Sequence, residues 1–177
     1  TGTSFGSHIS SLGDINGDGL SDFYVGDAAS AGKIFMGNVS GMTTNINFNF
    51  ASTPYTVTGV GSAGDFNGDG YDDFVISLAD SGETHAFMVF GKSTMDGSTV
   101  TNIDLNYLKN GANAIEYTFN TANSFDALDI TSVGDLNGDG YDDFAIGAYD
   151  VNGTAAGTGG MTIFYGRNTA GTPASAH

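Results

Sequence analysis

Positive charge is nearly missing from this sequence: Lys33, Lys92, Lys109 and Arg167 stand singly against 20 acids, for a formal net charge of -16. No basic patch exists to neutralise phosphates, which excludes nucleic acid as a partner. The same shortage argues against an anionic membrane surface. Cysteine is absent, so neither a disulfide framework nor a thiolate metal site is available. That absence suits an exported bacterial protein without fixing a compartment. Proline is down to two residues and glutamate to Glu83 and Glu116, and long helical runs of Ala, Leu, Glu and Lys are missing. No apolar run is long enough to span a bilayer. The chain opens at Thr1 directly on a strand-like segment, from which we expect a mature fragment or an excised domain.

Glycine, with 28 residues, aspartate and asparagine fill the gap. That composition belongs to short strands joined by tight turns. At 177 residues the chain is long enough for one domain with a proper core.

One ten-residue pattern occurs three times. GDINGDGLSD runs from Gly13 to Asp22, GDFNGDGYDD from Gly64 to Asp73, and GDLNGDGYDD from Gly134 to Asp143. Each copy follows a strand-like segment (HISSLG, VTGVGSAG, DITSVG) and precedes an apolar run beginning at Phe23, Phe74 or Phe144. A further short strand ends each unit's core in glycine: KIFMG, AFMVFG and MTIFYG. The linkers add period-2 stretches at Ile46 to Phe50 and Ala114 to Phe119. One unit therefore reads as strand, acidic loop, strand, turn, strand, linker, strand, a four-stranded antiparallel blade. The predicted fold class is all-β and propeller-like, with repeats over about 1–54, 55–119 and 120–177. A single helical turn is expected near Leu105 to Lys109.

Numbered from its first aspartate, the loop is D-x-N-x-D-G-x-x-D. Alternate positions converge when a short loop wraps a point, and glycine at position 6 permits the sharp turn. The predicted oxygen donors are Asp14, Asn16, Asp18 and Asp22 in the first loop, with the carbonyl of Leu20 at position 7. Asp65, Asn67, Asp69, Tyr71 and Asp73 follow in the second, and Asp135, Asn137, Asp139, Tyr141 and Asp143 in the third. Oxygen alone, with three negative charges, suits a hard cation. Calcium fits best because it accepts six to eight oxygens in irregular geometry. Three such ions would bring the charge of -16 to about -10. The loop is not an EF-hand, since position 12 is Val25, Ile76 or Ile146 where that motif needs a bidentate glutamate. A turn that binds nothing is the plainer alternative, which three equally spaced copies disfavour.

With the loop set between two strands, the pattern resembles the FG-GAP repeat of integrin alpha-subunit β-propellers and their bacterial relatives. Phe5-Gly6 stands as the opening pair, and Gly26-Asp27-Ala28 and Gly147-Ala148 stand in the GAP position. The second repeat departs from it, with Ser77-Leu78-Ala79. The linker VFGKSTMDGSTVTNIDLNYL resembles those of large secreted bacterial repeat proteins. The resemblance implies a propeller of about seven blades, calcium in the hairpin loops, and extracellular adhesion or ligand binding. Three loops predict at most three blades here, the third without its fourth strand. We therefore expect either part of a larger propeller or copies that complete one another. The partners so implied are an extracellular protein or glycan, or further copies of the chain, and the expected location is extracellular or at the cell surface.

Other constellations fall away. Gly2-Thr3-Ser4-Phe5-Gly6 matches G-x-S-x-G without the strand-to-helix context of a nucleophile elbow. Gly91-Lys92-Ser93 lacks the upstream P-loop glycine, since Ala86 holds that position. His8, His85 and His177 have no metal-ligand spacing. Asp72 and Asp142 are read as solvent-facing or turn-capping. Tyr71 and Tyr141 are read as stacking between blades, with a carbohydrate-facing role second. Asn38-Val39-Ser40 and Asn152-Gly153-Thr154 are sequons, meaningful in a host that glycosylates. No acid–base pair or nucleophile is separable from the loops, so no enzyme is expected. The leading reading is a calcium-stabilised adhesion or assembly module. A carbohydrate-binding or non-catalytic module of a secreted hydrolase comes next, then a subunit of an extracellular filament.

Overall fold

The computed structural model describes residues 5–26, 31–40, 45–50, 55–79, 84–119, 129–148 and 160–168. The first sheet uses β1 (His8–Gly13), β2 (Asp22–Gly26), β3 (Ala31–Phe35) and β4 (Asn45–Asn49), each antiparallel to the last. The second uses β5 (Thr56–Gly64), β6 (Asp73–Ala79), β7 (Thr84–Val89) and, after a long linker, β9 (Ala114–Phe119). The third has β10 (Asp129–Gly134), β11 (Asp143–Ala148) and β12 (Gly160–Phe164), three strands among the described residues. Each sheet is the expected meander, and each acidic loop joins the first two strands of its blade. His177, the sequon at Asn152 and most of Gly2-Thr3-Ser4-Phe5-Gly6 lie outside the described residues, as do Asp27 and Ala28 of the GAP position.

The blades stack face to face, and β6 and β7 of the middle blade are buried on both sides. Tyr24, Ile34, Ile46 and Phe48 of the first blade close on Phe74, Ile76, Phe87 and Val89 of the second in one core. The opposite face of the second blade, with Val75, Ala86 and Met88, closes on Ile130, Phe144 and Ile146 of the third. All six residues of β7 are accordingly buried. A strand covered on both faces cannot show polar–apolar alternation. The innermost strands β1, β5 and β10 lie side by side. At Gly61 the approach leaves no room for a side chain, since a Cβ there would stand 2.1 Å from the Ile130 carbonyl.

One strand departs from the expected four per blade. The linker between β7 and β9 sends β8 (Asn102–Ile103) back to the first blade, where it pairs parallel with β4 as a fifth strand. The helical turn α1 (Leu105–Leu108) follows, where expected, with the Asp104 carboxylate accepting the Tyr107 N–H at 2.9 Å. Its Leu108 is buried, as are Ile103 and Met95. The physical reason is the edge: β4 would otherwise present an open row of N–H and C=O groups. The linker spends its apolar residues covering that edge and so straps the second blade to the first. Lys92 holds the strap's two ends together, with Nζ 2.6 Å from Asn113 Oδ1 and 5.2 Å from the centre of the Tyr107 ring.

Ile103→Ala empties the strap's buried anchor and is expected to cost about 2–5 kcal/mol. Urea unfolding measures it; a cost below about 1 kcal/mol would mean that the strap is not part of the cooperative unit.

Candidate metal centre

The three loops are built alike from the backbone up. Each opens at a register shift in its strand pair, between Ser11 and Gly13, Ser62 and Gly64, or Ser132 and Gly134. The glycine at position 6, expected from the sequence, has φ of 85° at Gly19, 89° at Gly70 and 91° at Gly140. L-residues with side chains resist that region.

Positions 1, 3 and 5 are drawn together by one repeated hydrogen-bond pattern. Asp14 Oδ1 accepts the N–H of Gly17 and Asp18 at 2.7 and 3.0 Å, and its Oδ2 accepts Gly19 N–H at 2.7 Å. Asn16 Oδ1 accepts Asp18 N–H at 2.9 Å, and its Nδ2 donates to Asp18 Oδ2 at 3.3 Å. Asp135, Asn137 and Asp139 repeat this in full, and Asp65, Asn67 and Asp69 repeat all of it but the position-4 N–H contact. Position 7 is held by its N–H: Leu20, Tyr71 and Tyr141 donate to Oδ1 of Asp18, Asp69 and Asp139 at 2.9, 3.0 and 3.1 Å. The Gly140 N–H is the main influence holding Asp135 below the usual carboxylate range.

Position 9 stands apart. Asp22, Asp73 and Asp143 are fully buried, and two of them are fully engaged by backbone. Asp22 Oδ2 accepts Ile15 N–H at 3.1 Å and its Oδ1 accepts Gly37 N–H at 2.8 Å. Asp143 takes Leu136 and Gly166 in the same way, at 2.9 and 2.8 Å. One carboxylate thus ties the start of the loop to the glycine that ends the third strand. Asp73 keeps the second tie, Gly91 N–H at 2.8 Å, but its buried Oδ2 has no hydrogen-bond partner. Burial pushes Asp73 up to about 8, only partly countered by the Gly91 N–H. Burial raises Asp22 to about 6 against the Gly37 and Ile15 N–H groups, with Asp18 and Asp14 adding to the rise.

Among the described residues no lysine or arginine pairs with these carboxylates, and the donor chemistry of each loop fits a hard cation. Each oxygen keeps lone-pair capacity beyond the N–H it accepts, and buried Asp73 Oδ2 has no hydrogen-bond partner, the Asn67 N–H giving its carboxylate only weak support. Among the described residues no three Asp, Glu or His side chains form a metal-ready cluster on their own. An ion held here would draw as well on the asparagine of position 3 and on the backbone.

The sequence reading missed one further feature, a clasp at the contact between blades. Asp72 accepts the N–H of Asp14 in the preceding loop at 2.7 Å, while its own N–H donates to the Asp14 carbonyl at 3.1 Å. Asp142 clasps Asp65 identically, at 3.1 and 3.2 Å. These are caps on a neighbouring loop, not on their own turns. The tyrosine beside each lies on the position-4 glycine of the same neighbour: a Cβ on Gly17 would sit 2.6 Å from the Tyr71 ring, and one on Gly68 equally near Tyr141. Stacking between blades is therefore what these rings do. The glycine at position 4 in all three loops, and Tyr-Asp in two, were the available signals. Gly91-Lys92 is a strand-end turn, with Lys92 N–H on the Ile15 carbonyl at 2.9 Å. His85 packs between Tyr55 and Phe87 with Nδ1 2.9 Å from Glu116.

Asp22→Ala orphans two backbone donors and is expected to cost roughly 1–3 kcal/mol for each, with chelator present throughout. A cost within about 0.5 kcal/mol in urea unfolding would show that position 9 has no structural role of its own.

Comparison with known proteins agrees with this architecture. The family described as FG-GAP-like repeat matches residues 14–76, from the first acidic loop through the second. The family described as FG-GAP repeat matches residues 128–163, around the third. No curated protein matches the chain. With three acidic hairpin loops in three stacked antiparallel sheets, and both matches falling on those loops, the chain is an FG-GAP repeat protein.

Proposed function

We propose that this FG-GAP chain is a non-enzymatic, calcium-stabilised β-propeller-like module of a secreted or cell-surface protein, serving adhesion or assembly. The observation that supports calcium is the unpartnered, fully buried Oδ2 of Asp73 at the foot of an all-oxygen loop. Asp14, Asn16, Asp18 and Asp22, with the position-7 carbonyl, would hold one ion, and the corresponding residues of the other loops one each. The ion supplies positive charge and binds no substrate. The chain's own part is to preset the loop: the position-6 glycine turns it, and the N–H bonds to positions 1, 3 and 5 hold the carboxylates close before any cation arrives. That preorganisation lowers the cost of binding.

An assembly or adhesion role is favoured over carbohydrate binding by the tyrosines. Tyr71 and Tyr141 are half-buried against Gly17 and Gly68 and are not presented to a glycan.

Calorimetric melts in millimolar calcium and in chelator test the reading. Calcium at 100 times its Kd stabilises by about 2.7 kcal/mol per site. For a chain of this size that raises Tm by about 5–10 °C per loop. Asp139→Asn keeps the shape of an exposed position and is expected to remove one loop's share of the shift, while the chelator melt falls only by the loss of the Asn137 hydrogen bond, about 1 kcal/mol. Identical melts in calcium and chelator would overturn the calcium role.

A further inference from the structure

The contact between blades has a direction, and one half of it is left open. Each of the first two loops serves as a socket for the next blade. In the first, the Asp14 peptide and Gly17 receive Asp72 and Tyr71. In the second, the Asp65 peptide and Gly68 receive Asp142 and Tyr141. The third loop carries the same socket in Asp135 and Gly138, and no described residue stands within 4 Å of where a Cβ on Gly134 or Gly138 would lie.

Among the described residues nothing covers the apolar face around the third socket either. Ile15 and Phe66, at position 2, are 0% and 1% exposed beneath the following blade, while Leu136 is 53% exposed. On the third strand the buried Ala86 and Met88 correspond, through their pairing with β6, to Met161 and Ile163 paired with β11. Met161 is 68% exposed, and Tyr165 beside them 55%. Large apolar residues clustered on one face mark an interaction surface. This one is continuous in kind with two interfaces the chain already makes.

The opposite end lacks the matching half. Where the second and third loops have Tyr-Asp at positions 7 and 8, the first has Leu20-Ser21. Leucine offers no flat ring to lay on a glycine. The serine side chain is one atom shorter than aspartate and uncharged, so it forfeits the charge-assisted bond to the position-1 N–H.

We infer that the outer face of the third blade is a docking surface for another FG-GAP blade whose acidic loop carries Tyr-Asp at positions 7 and 8. The first blade of a second copy is the wrong partner. Specificity is a difference of affinities, and the chain's own Leu20-Ser21 removes both contacts that the two internal interfaces share. The inference turns the expectation of a larger propeller or of copies completing one another into a rule about which blade fits. The inference rests on the assembly half of the function proposed above and not on its calcium half.

The test gives the chain the missing half. Leu20 packs against Gly37 as Tyr71 packs against Gly91, so Leu20→Tyr with Ser21→Asp fits the existing surface. In constant calcium, light scattering is expected to find the native chain at its monomer mass of 18.1 kDa and the double variant in head-to-tail oligomers. Adding Leu136→Asp to the double variant blocks its socket, returns it to monomer, and leaves it binding native chain one to one. Ser21→Asp alone, at an exposed position, is expected to associate at least tenfold more tightly than native chain and covers the case in which the double variant misfolds. Native chain that oligomerises as strongly as the variants would make a second copy the occupant and overturn the inference. So would a folded double variant or a Ser21→Asp chain that stays monomeric. Oligomers that form while calcium leaves the melt unchanged would sink the calcium reading alone.

Discussion

Each sheet is pinned at its loop end by one buried aspartate at position 9, and the loop, the strand ends and the contact with the next blade all depend on it. Asp22 reaches back to the Ile15 N–H and across to the Gly37 N–H. It therefore fixes where the loop begins and where the third strand stops. The Ile15 carbonyl, on the same residue, accepts Lys92 N–H from the following blade. One carboxylate thus sets the local turn, the sheet's outline and the docking edge. Burying it is unfavourable: desolvation raises Asp22 to about 6 and Asp73 to about 8. A carboxyl whose folded pKa lies above its unfolded value opposes folding once ionised, so the penalty grows as pH rises through those values. Backbone N–H groups offset part of it at Asp22 and less at Asp73. A cation held in the loop, as proposed, would offset the remainder by adding charge of the right sign.

The strap carries the same logic to the sheet edge. A propeller blade hides its faces against its neighbours but not its outermost strand. The first blade hides part of that strand by borrowing β8 from the second, at the cost of ordering a long linker. The buried Ile103, Leu108 and Met95 stabilise that order. The strap and the Asp72–Asp14 clasp join the same two blades at different places. Those blades are thereby coupled by backbone pairing as well as by side-chain packing.

Much of the fold was legible because repetition is a strong signal. Three copies of a ten-residue pattern, each flanked by strand-like segments, place most of the strands and the hairpin loops. The turn at Leu105 was legible from its local pattern too, and Asp104 explains where it starts. Two things were hidden, for separate reasons. The two residues of β8 are too few to show a period, and their partner strand lies more than fifty residues away in the chain. Asp72 and Asp142 looked like further surface acids, because sequence reveals spacing along one loop and not which neighbouring loop a carboxylate will meet. Asp22 and its counterparts were read only as oxygen donors, and nothing in the spacing tells a donor in a loop from one buried beneath it.

Repetition also explains why the departures are informative. When three loops share nine positions, a substitution confined to one copy marks a local difference in surroundings. Positions 1, 3, 4, 5, 6 and 9 are the same in all three. They serve the loop itself or the blade that docks on it. Positions 7 and 8 face the preceding blade, and there the first copy alone reads Leu-Ser. The third copy, by contrast, keeps Gly138 and an apolar residue at position 2 although no described residue covers either. A glycine at positive φ carries an entropic cost in the unfolded chain, and an exposed Leu136 carries a risk of aggregation. Gly138, at φ 77°, is required by the turn of its own loop, whereas the exposed Leu136 becomes favourable when a further blade lies on it.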